Sequence, residues 1–178
     1  MSRDLDDLYV RLAAIDRRLK HIESLERPNS ANMLLWTSPA VLCVSASSQT
    51  INNNTETAIT FDAADVFDTD NMHNPSSNPS RITIQTAGAY LFIGSGTWAS
   101  GSGSGTRQLW LRVDGTTTVT GSFVLFRQTV SGDAPGMITV GVAALEKDQY
   151  VEMCAYQDSG GDRTLSNQTL AAFRLPGA

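Results

Sequence analysis

Lysine is nearly missing from this chain of 178 residues: Lys20 and Lys147 are its only two. With 13 basic against 18 acidic side chains the formal net charge is -5. An acidic surface this poor in lysine has little to offer a phosphate backbone, so nucleic-acid binding is set aside. Cysteine is scarce as well. Cys43 and Cys154 fall in predicted strands, where cysteine behaves as a small apolar residue, and their pairing is left open. No apolar run approaches membrane-spanning length. The polar opening Met1–Asp7 is not followed by the apolar stretch of a secretion signal, so synthesis in a cytoplasm is expected.

Histidine is limited to His21 and His73. A triad needs a base that is itself oriented by a third group. His21 falls on the solvent side of a predicted helix, and His73 sits in the polar loop Thr69–Ser80 and reads as a surface residue. There is no Gly-x-Ser-x-Gly elbow, Walker loop or dinucleotide fingerprint. The run Gly101–Gly105 reads as an exposed flexible loop rather than a phosphate cradle. The expectation is a protein that is not an enzyme and carries no cofactor.

Charge is abundant only at the start. Residues 1–27 hold six basic and six acidic side chains, which leaves seven and twelve for the rest. Within that charged segment Leu5, Leu8, Leu12, Ile15, Leu19 and Ile22 are spaced 3, 4, 3, 4, 3. This is a heptad seam with leucine at a and isoleucine at the last two d positions, a choice that disfavours dimers and favours three or four strands. Arg11 and Arg18 at g oppose Asp16 and Glu23 at the following e positions. The segment Arg18–Glu23 also resembles the trimer-selecting pattern Arg-apolar-x-x-apolar-Glu. The spacing predicts a trimeric α-helical coiled coil over 1–27. About three heptads span roughly 30 Å and are marginal alone, so the remainder must help to hold the oligomer.

Pro28 ends the helix, and residues 28–40 read as a linker. The apolar cluster Met33, Leu34, Leu35 and Trp36 inside it is either a plug at the base of the body or an anchor onto a larger assembly. From residue 41 to 178 short β-rich runs recur between turn signals. Strands are expected near 41–46, 57–61, 81–86, 89–100, 106–113, 116–130, 137–145, 150–157 and 169–175, with Asp114-Gly115 as a hairpin turn. Nine or ten strands in this length predict an all-β sandwich of jelly-roll type. Trp98 and Trp110 lie within strands and read as core or subunit-interface packing rather than sugar platforms.

The body resembles the C1q/tumour-necrosis-factor-like jelly roll across about 41–175. The resemblance rests on Phe61-Asp62 with Val66-Phe67-Asp68, and on Ile84–Phe92 with its Ala-Gly-x-Tyr-x-Phe ending. It rests further on Leu111–Gly115, on Leu145–Val151 (with Lys147 read as standing where the family has glycine), on Tyr156–Gly160 and on Ala172–Leu175. It implies a compact homotrimer with both termini of the body at one end. Some members of that family bind calcium, which makes Asp65, Asp68 and Asp70 weak calcium candidates. A solvated acidic loop is the simpler reading of these carboxylates. Transition-metal sites need clustered His and Cys; such clusters are absent from the sequence, and no metal site is expected.

Stem, trimeric head and the lack of a catalytic signature point to a structural protein of a virion. A bacteriophage capsid decoration, head fibre or tail-associated protein is expected, with itself and capsid or tail proteins as partners. The alternative is a knob that binds a host receptor or glycan, on a phage fibre or a bacterial surface.

Overall fold

A computed structural model describes residues 38–101, 104–128 and 132–176. The heptad residues Leu5 to Glu23 and the cluster Met33–Trp36 lie outside the described residues, so the predicted coiled coil, its charge pairs and the possible anchor remain expectations.

Twelve strands make up the described part: β1 Ala40–Val44, β2 Gln49–Ile51, β3 Thr57–Ala58, β4 Phe67–Asp68, β5 Arg81–Thr83, β6 Gly88–Trp98, β7 Gly105–Val113, β8 Thr117–Thr118, β9 Val124–Gln128, β10 Gly136–Leu145, β11 Tyr150–Gln157 and β12 Arg163–Arg174. They form two sheets. The first runs β10-β6-β12-β1-β4, with β2 also on β12. The second runs β3-β11-β7-β8, with β5 on β11 and β9 on β7. Neighbours are antiparallel throughout. The chain crosses between sheets repeatedly, among others from β6 to β7, from β9 to β10, from β10 to β11 and from β11 to β12. This is the expected all-β sandwich, with no helix among the described residues.

Between the sheets, Tyr90, Phe92 and Trp98 of β6 meet Leu109 and Leu111 of β7, Val151 and Met153 of β11, and Leu165 and Leu170 of β12, all of them buried. Burying side chains of this size supplies about 1.5–3 kcal/mol each. The centre of β6 is glycine because the space is taken. A Cβ on Gly94 would stand 2.6 Å from Met153 Sδ, and one on Gly96 3.0 Å from Leu165 Cδ1.

Local chemistry sets the turns. Asp114 and Gly115 both adopt positive φ, 48° and 70°. Thr116 N–H donates to Val113 O at 3.1 Å, so the hairpin turn is of type I′ as Asp-Gly predicts. In the Leu145–Tyr150 turn the left-handed residue is Asp148, at φ 71°. Asp148, not Lys147, therefore occupies the position that favours glycine, and aspartate tolerates it.

Strands β2 and β4 fall outside every expected strand, and two expected strands are laid out differently. The run 116–130 is split into β8 and β9, both of which pair with β7. At the break Gly121 takes φ 81° and Ser122 is fully buried. The Ser122 hydroxyl oxygen accepts Leu111 N–H at 3.0 Å, and the hydroxyl donates to Val119 O at 2.8 Å. One side chain thus replaces a missing ladder rung. Ser122→Ala leaves Leu111 N–H buried without its acceptor and is expected to cost about 1–3 kcal/mol, read as a lower urea midpoint at unchanged slope. The last strand starts at Arg163 rather than near Thr169. It passes a bulge between Ser166 and Thr169, where Asn167 turns left-handed at φ 52°, and that irregularity hides the alternation.

Cys43 and Cys154 are both free and buried. Cys43 packs in the core between the sheets, whereas Cys154 alternates with the core residues Met153 and Ala155 and faces the other side of its sheet. Burial is the main influence on the Cys154 thiol, which is pushed up to about 11.

Candidate functional site

The outer face of the first sheet inverts the usual pattern. In β10 the side chains turned toward the core are Met137, Thr139, Gly141, Ala143 and Leu145, while Ile138, Val140 and Val142 point outward. They are 63%, 46% and 53% exposed. Alternating strands normally turn their more apolar side inward. Here the inward side must be small. A Cβ on Gly141 would meet Val119 Cγ1 at 2.7 Å and Leu111 Cδ1 at 3.2 Å, and the Thr139 hydroxyl donates to Ser122 O. In β6 Gly94 and Gly96 face in, while Leu91 and Ile93 face out, Ile93 being 37% exposed.

Register assembles these side chains into rows. Val140 lies opposite Ile93, Ile93 opposite Ala171, Ala171 opposite Leu42, and Leu42 opposite Phe67. The adjoining row is Val142, Leu91, Phe173 and Ala40. Phe67 and Phe173 contact each other, with ring centroids 6.2 Å apart. On the other side Ile138 lies across from Ser95 and Ser95 from Thr169, the two hydroxyls being hydrogen-bonded at 2.8 Å. None of these outward residues carries a charge. An apolar patch extending across five strands is the physical signature of an association surface.

The chain enters this face directly. Ser38 Oγ–H donates to Arg174 O at 2.9 Å, and Arg174 N–H donates to Pro39 O at 2.9 Å. The first and last strands of the body therefore begin and end at the same end, and β1 contributes Ala40 and Leu42 to the apolar rows.

The outer face of the second sheet differs in kind. Glu152 is nearly buried and lies within 3.2 Å of Arg81 Nε and 3.3 Å of Arg112 Nη2; Arg112 also reaches Glu56. Arg81 stacks over the Tyr150 ring at 4.1 Å. Beside this network an open groove of about 430 Å³ is lined by Glu56, Gln108, Trp110, Thr118, Phe123 and Tyr156. Phe123 is 52% exposed and its ring centroid lies 6.2 Å from that of Trp110. Trp110 is packed, as its place in a strand suggested, but on the outside of its sheet. Trp98 is a core residue.

A third cluster lies within the body. The sequence reads His73 as a surface residue; the structure buries it. Asp68 Oδ2 accepts His73 N–H at 2.9 Å, and Met72 beside it is a core residue whose carbonyl accepts Thr83 N–H at 2.7 Å. These bonds draw the loop inward and seat the imidazole edge-on to Phe61. His73 Nδ1 then lies 2.8 Å from Asp65 Oδ1, and both residues lie close to Cys43. Of the carboxylates named as calcium candidates, Asp65 faces His73, and Asp68 spends its second oxygen on Asp70 N–H at 3.1 Å. The apolar Met72 inside an otherwise polar loop was the one sign in the sequence that this segment is anchored.

No known family profile matches the chain, and no curated protein matches its sequence. Solved structures do match its shape. The globular domain of zebrafish complement 1qA protein is similar at 13% identity and a TM-score of 0.54, with 77% of this chain and 97% of that chain covered. Murine APRIL at pH 5.0 is similar at 12% identity and 0.54, covering 78% and 99%. Eiger TNF from S. frugiperda is similar at 9% identity and 0.54, covering 80% and 95%. The body has the C1q/TNF-like jelly-roll fold. At these identities the likeness concerns the fold alone, and it agrees with the resemblance carried by the strand motifs.

Proposed function

We propose that this chain is a trimeric, non-catalytic structural protein of a bacteriophage particle: a capsid decoration, head fibre or tail-associated knob. The observation that carries the trimer is the inverted strand β10, which turns Ile138, Val140 and Val142 to solvent and small residues to the core. A second copy of the same chain is the occupant that fits. The heptad seam of residues 5–22 favours three strands and ends shortly before β1, whose Ala40 and Leu42 belong to the apolar rows. The two parts of the chain therefore select the same partner. The virion setting is supported by the combination of a coiled stem with a self-associating β-rich head, an arrangement suited to a projecting part of a larger particle. Gold-labelled antibodies against the head, applied to purified particles, test this setting. Label on intact particles supports it, and label confined to soluble lysate contradicts it.

The groove around Phe123 favours a second reading, a knob that recognises a glycan. A half-exposed aromatic ring beside Trp110, flanked by the amide of Gln108 and the hydroxyls of Thr118 and Tyr156, suits a pyranose stacked by its apolar side. On that reading Phe123→Ala weakens binding to a glycan-array hit by about tenfold, since an aromatic contact is worth about 0.5–1.5 kcal/mol. An array with no hit rejects it.

A further inference from the structure

Cys43 comes from β1, Asp65 from the segment before β4, and His73 from the loop between β4 and β5. The fold brings their donor atoms to within 4.8 Å of one another. Cys43 and the His73 side chain are completely buried, and the Asp65 side chain is 13% exposed. The hydrogen bonds around this trio are informative. His73 Nε2 lies 3.2 Å from Pro79 O, an atom that can only accept, so Nε2 carries a proton. On the other side Nδ1 faces Asp65 Oδ1 at 2.8 Å. Cys43 Sγ lies within 4.8 Å of the same carboxylate. Two protons, one between Nδ1 and Asp65 Oδ1 and one on the thiol, thus lie where a sulfur, a nitrogen and an oxygen donor converge.

We infer that Cys43, Asp65 and His73 form a zinc site, in which one Zn²⁺ takes the place of those two protons. Sγ becomes a thiolate ligand, Nδ1 and one Asp65 oxygen complete the set of protein ligands, and the two protons leave to solvent. The net charge of the site is unchanged: a dipositive ion replaces two protons between the same groups. No oxidant or reductant takes part. The Nε2–H bond to Pro79 O stays in place and is the kind of outer contact that orients a metal-binding imidazole.

The donor set discriminates among metals. Thiolate and imidazole are poor ligands for calcium or magnesium, which take oxygen, and suit zinc. Ordinary Zn–S and Zn–N or Zn–O lengths place tetrahedral ligand atoms roughly 3.3–3.6 Å apart. The His73–Asp65 pair would open slightly and the widest separation would close. Water can supply a fourth ligand by way of Asp65, the one side chain of the trio that reaches the surface. A bound ion would tie the loop around His73 to β1, a strand that edge strand β4 otherwise grips by only two residue pairs, Val41 with Asp68 and Leu42 with Phe67. The site lies within one chain and does not depend on assembly.

Cobalt titration of the full chain, after treatment with a chelator, tests the inference. One Co²⁺ per chain is expected, with a thiolate-to-cobalt charge-transfer band that disappears when Zn²⁺ is added. Cys43→Ser should abolish the band, while Cys154→Ser should keep it. Should Cys43→Ser fail to fold by circular dichroism, Asp65→Asn serves instead, because it removes a ligand from the partly exposed side; cobalt binding should weaken at least tenfold. No cobalt uptake by the unmodified chain at micromolar concentration overturns the inference. So does a band that survives in a folded Cys43→Ser chain, or undiminished affinity in Asp65→Asn.

Discussion

If the chain forms the proposed trimer, Val140→Asp is expected to yield single folded chains. Val140 sits at the edge of the row Val140, Ile93, Ala171, Leu42 and Phe67, on the outer face of the first sheet. Within one chain it is 46% exposed, so a carboxylate there stays hydrated. The stability of the isolated body then shifts by no more than about 1 kcal/mol, the span of strand propensities. In the proposed assembly the same carboxylate would be buried against apolar side chains, and none of the outward residues named above carries a positive charge to pair with it. Such burial costs several kcal/mol per site, and a threefold assembly repeats it three times. The proposed stem would not compensate, because about three heptads are marginal by themselves. Sedimentation velocity at micromolar concentration should show one slow species with an unchanged circular dichroism spectrum. A chain that still sediments as the unmodified protein does would show that this face is not the interface.

Phe92→Ala has the largest expected effect on the fold itself, and its neighbour Ile93 provides the control. The two are adjacent on β6 and point in opposite directions. Phe92 is fully buried between the sheets and stacks on Tyr90 at 6.0 Å. Removing its ring costs about 3–5 kcal/mol, the lost transfer energy plus the cavity left behind, a large part of the whole stability of such a domain. Ile93→Ala leaves the core filled. In the Val140→Asp background, where assembly no longer contributes, urea unfolding should show a large fall for Phe92→Ala and a fall within about 1 kcal/mol for Ile93→Ala. Equal losses would mean that the inward and outward sides of β6 have been assigned wrongly.

Much of the fold was legible because strands advertise themselves by alternation. Ile82 and Ile84, and Leu109 and Leu111, share a side in the sequence and are buried in the structure. Asp114-Gly115 announced its turn because two successive left-handed residues demand that chemistry. Alternation failed where a side chain stands in for backbone, as at Ser122, and where a bulge shifts the phase, as at Asn167. The apolar rows are a subtler case. The sequence shows that Ile138, Val140 and Val142 share a side of β10, but not that this side faces out. Only the packing of Val119 and Leu111 against Gly141 decides it. The Cys43, Asp65 and His73 cluster was invisible for another reason. Its members are distant in sequence, two of them lie outside regular strands, and their meeting depends on how Met72 anchors a loop that reads as polar.

Light scattering of the unmodified full chain is the most direct measurement of self-association. The account predicts a particle of three times 19.1 kDa that persists on dilution through the micromolar range. A particle of 19.1 kDa under those conditions would contradict it, and with it the case for a stem-and-head component of a larger structure.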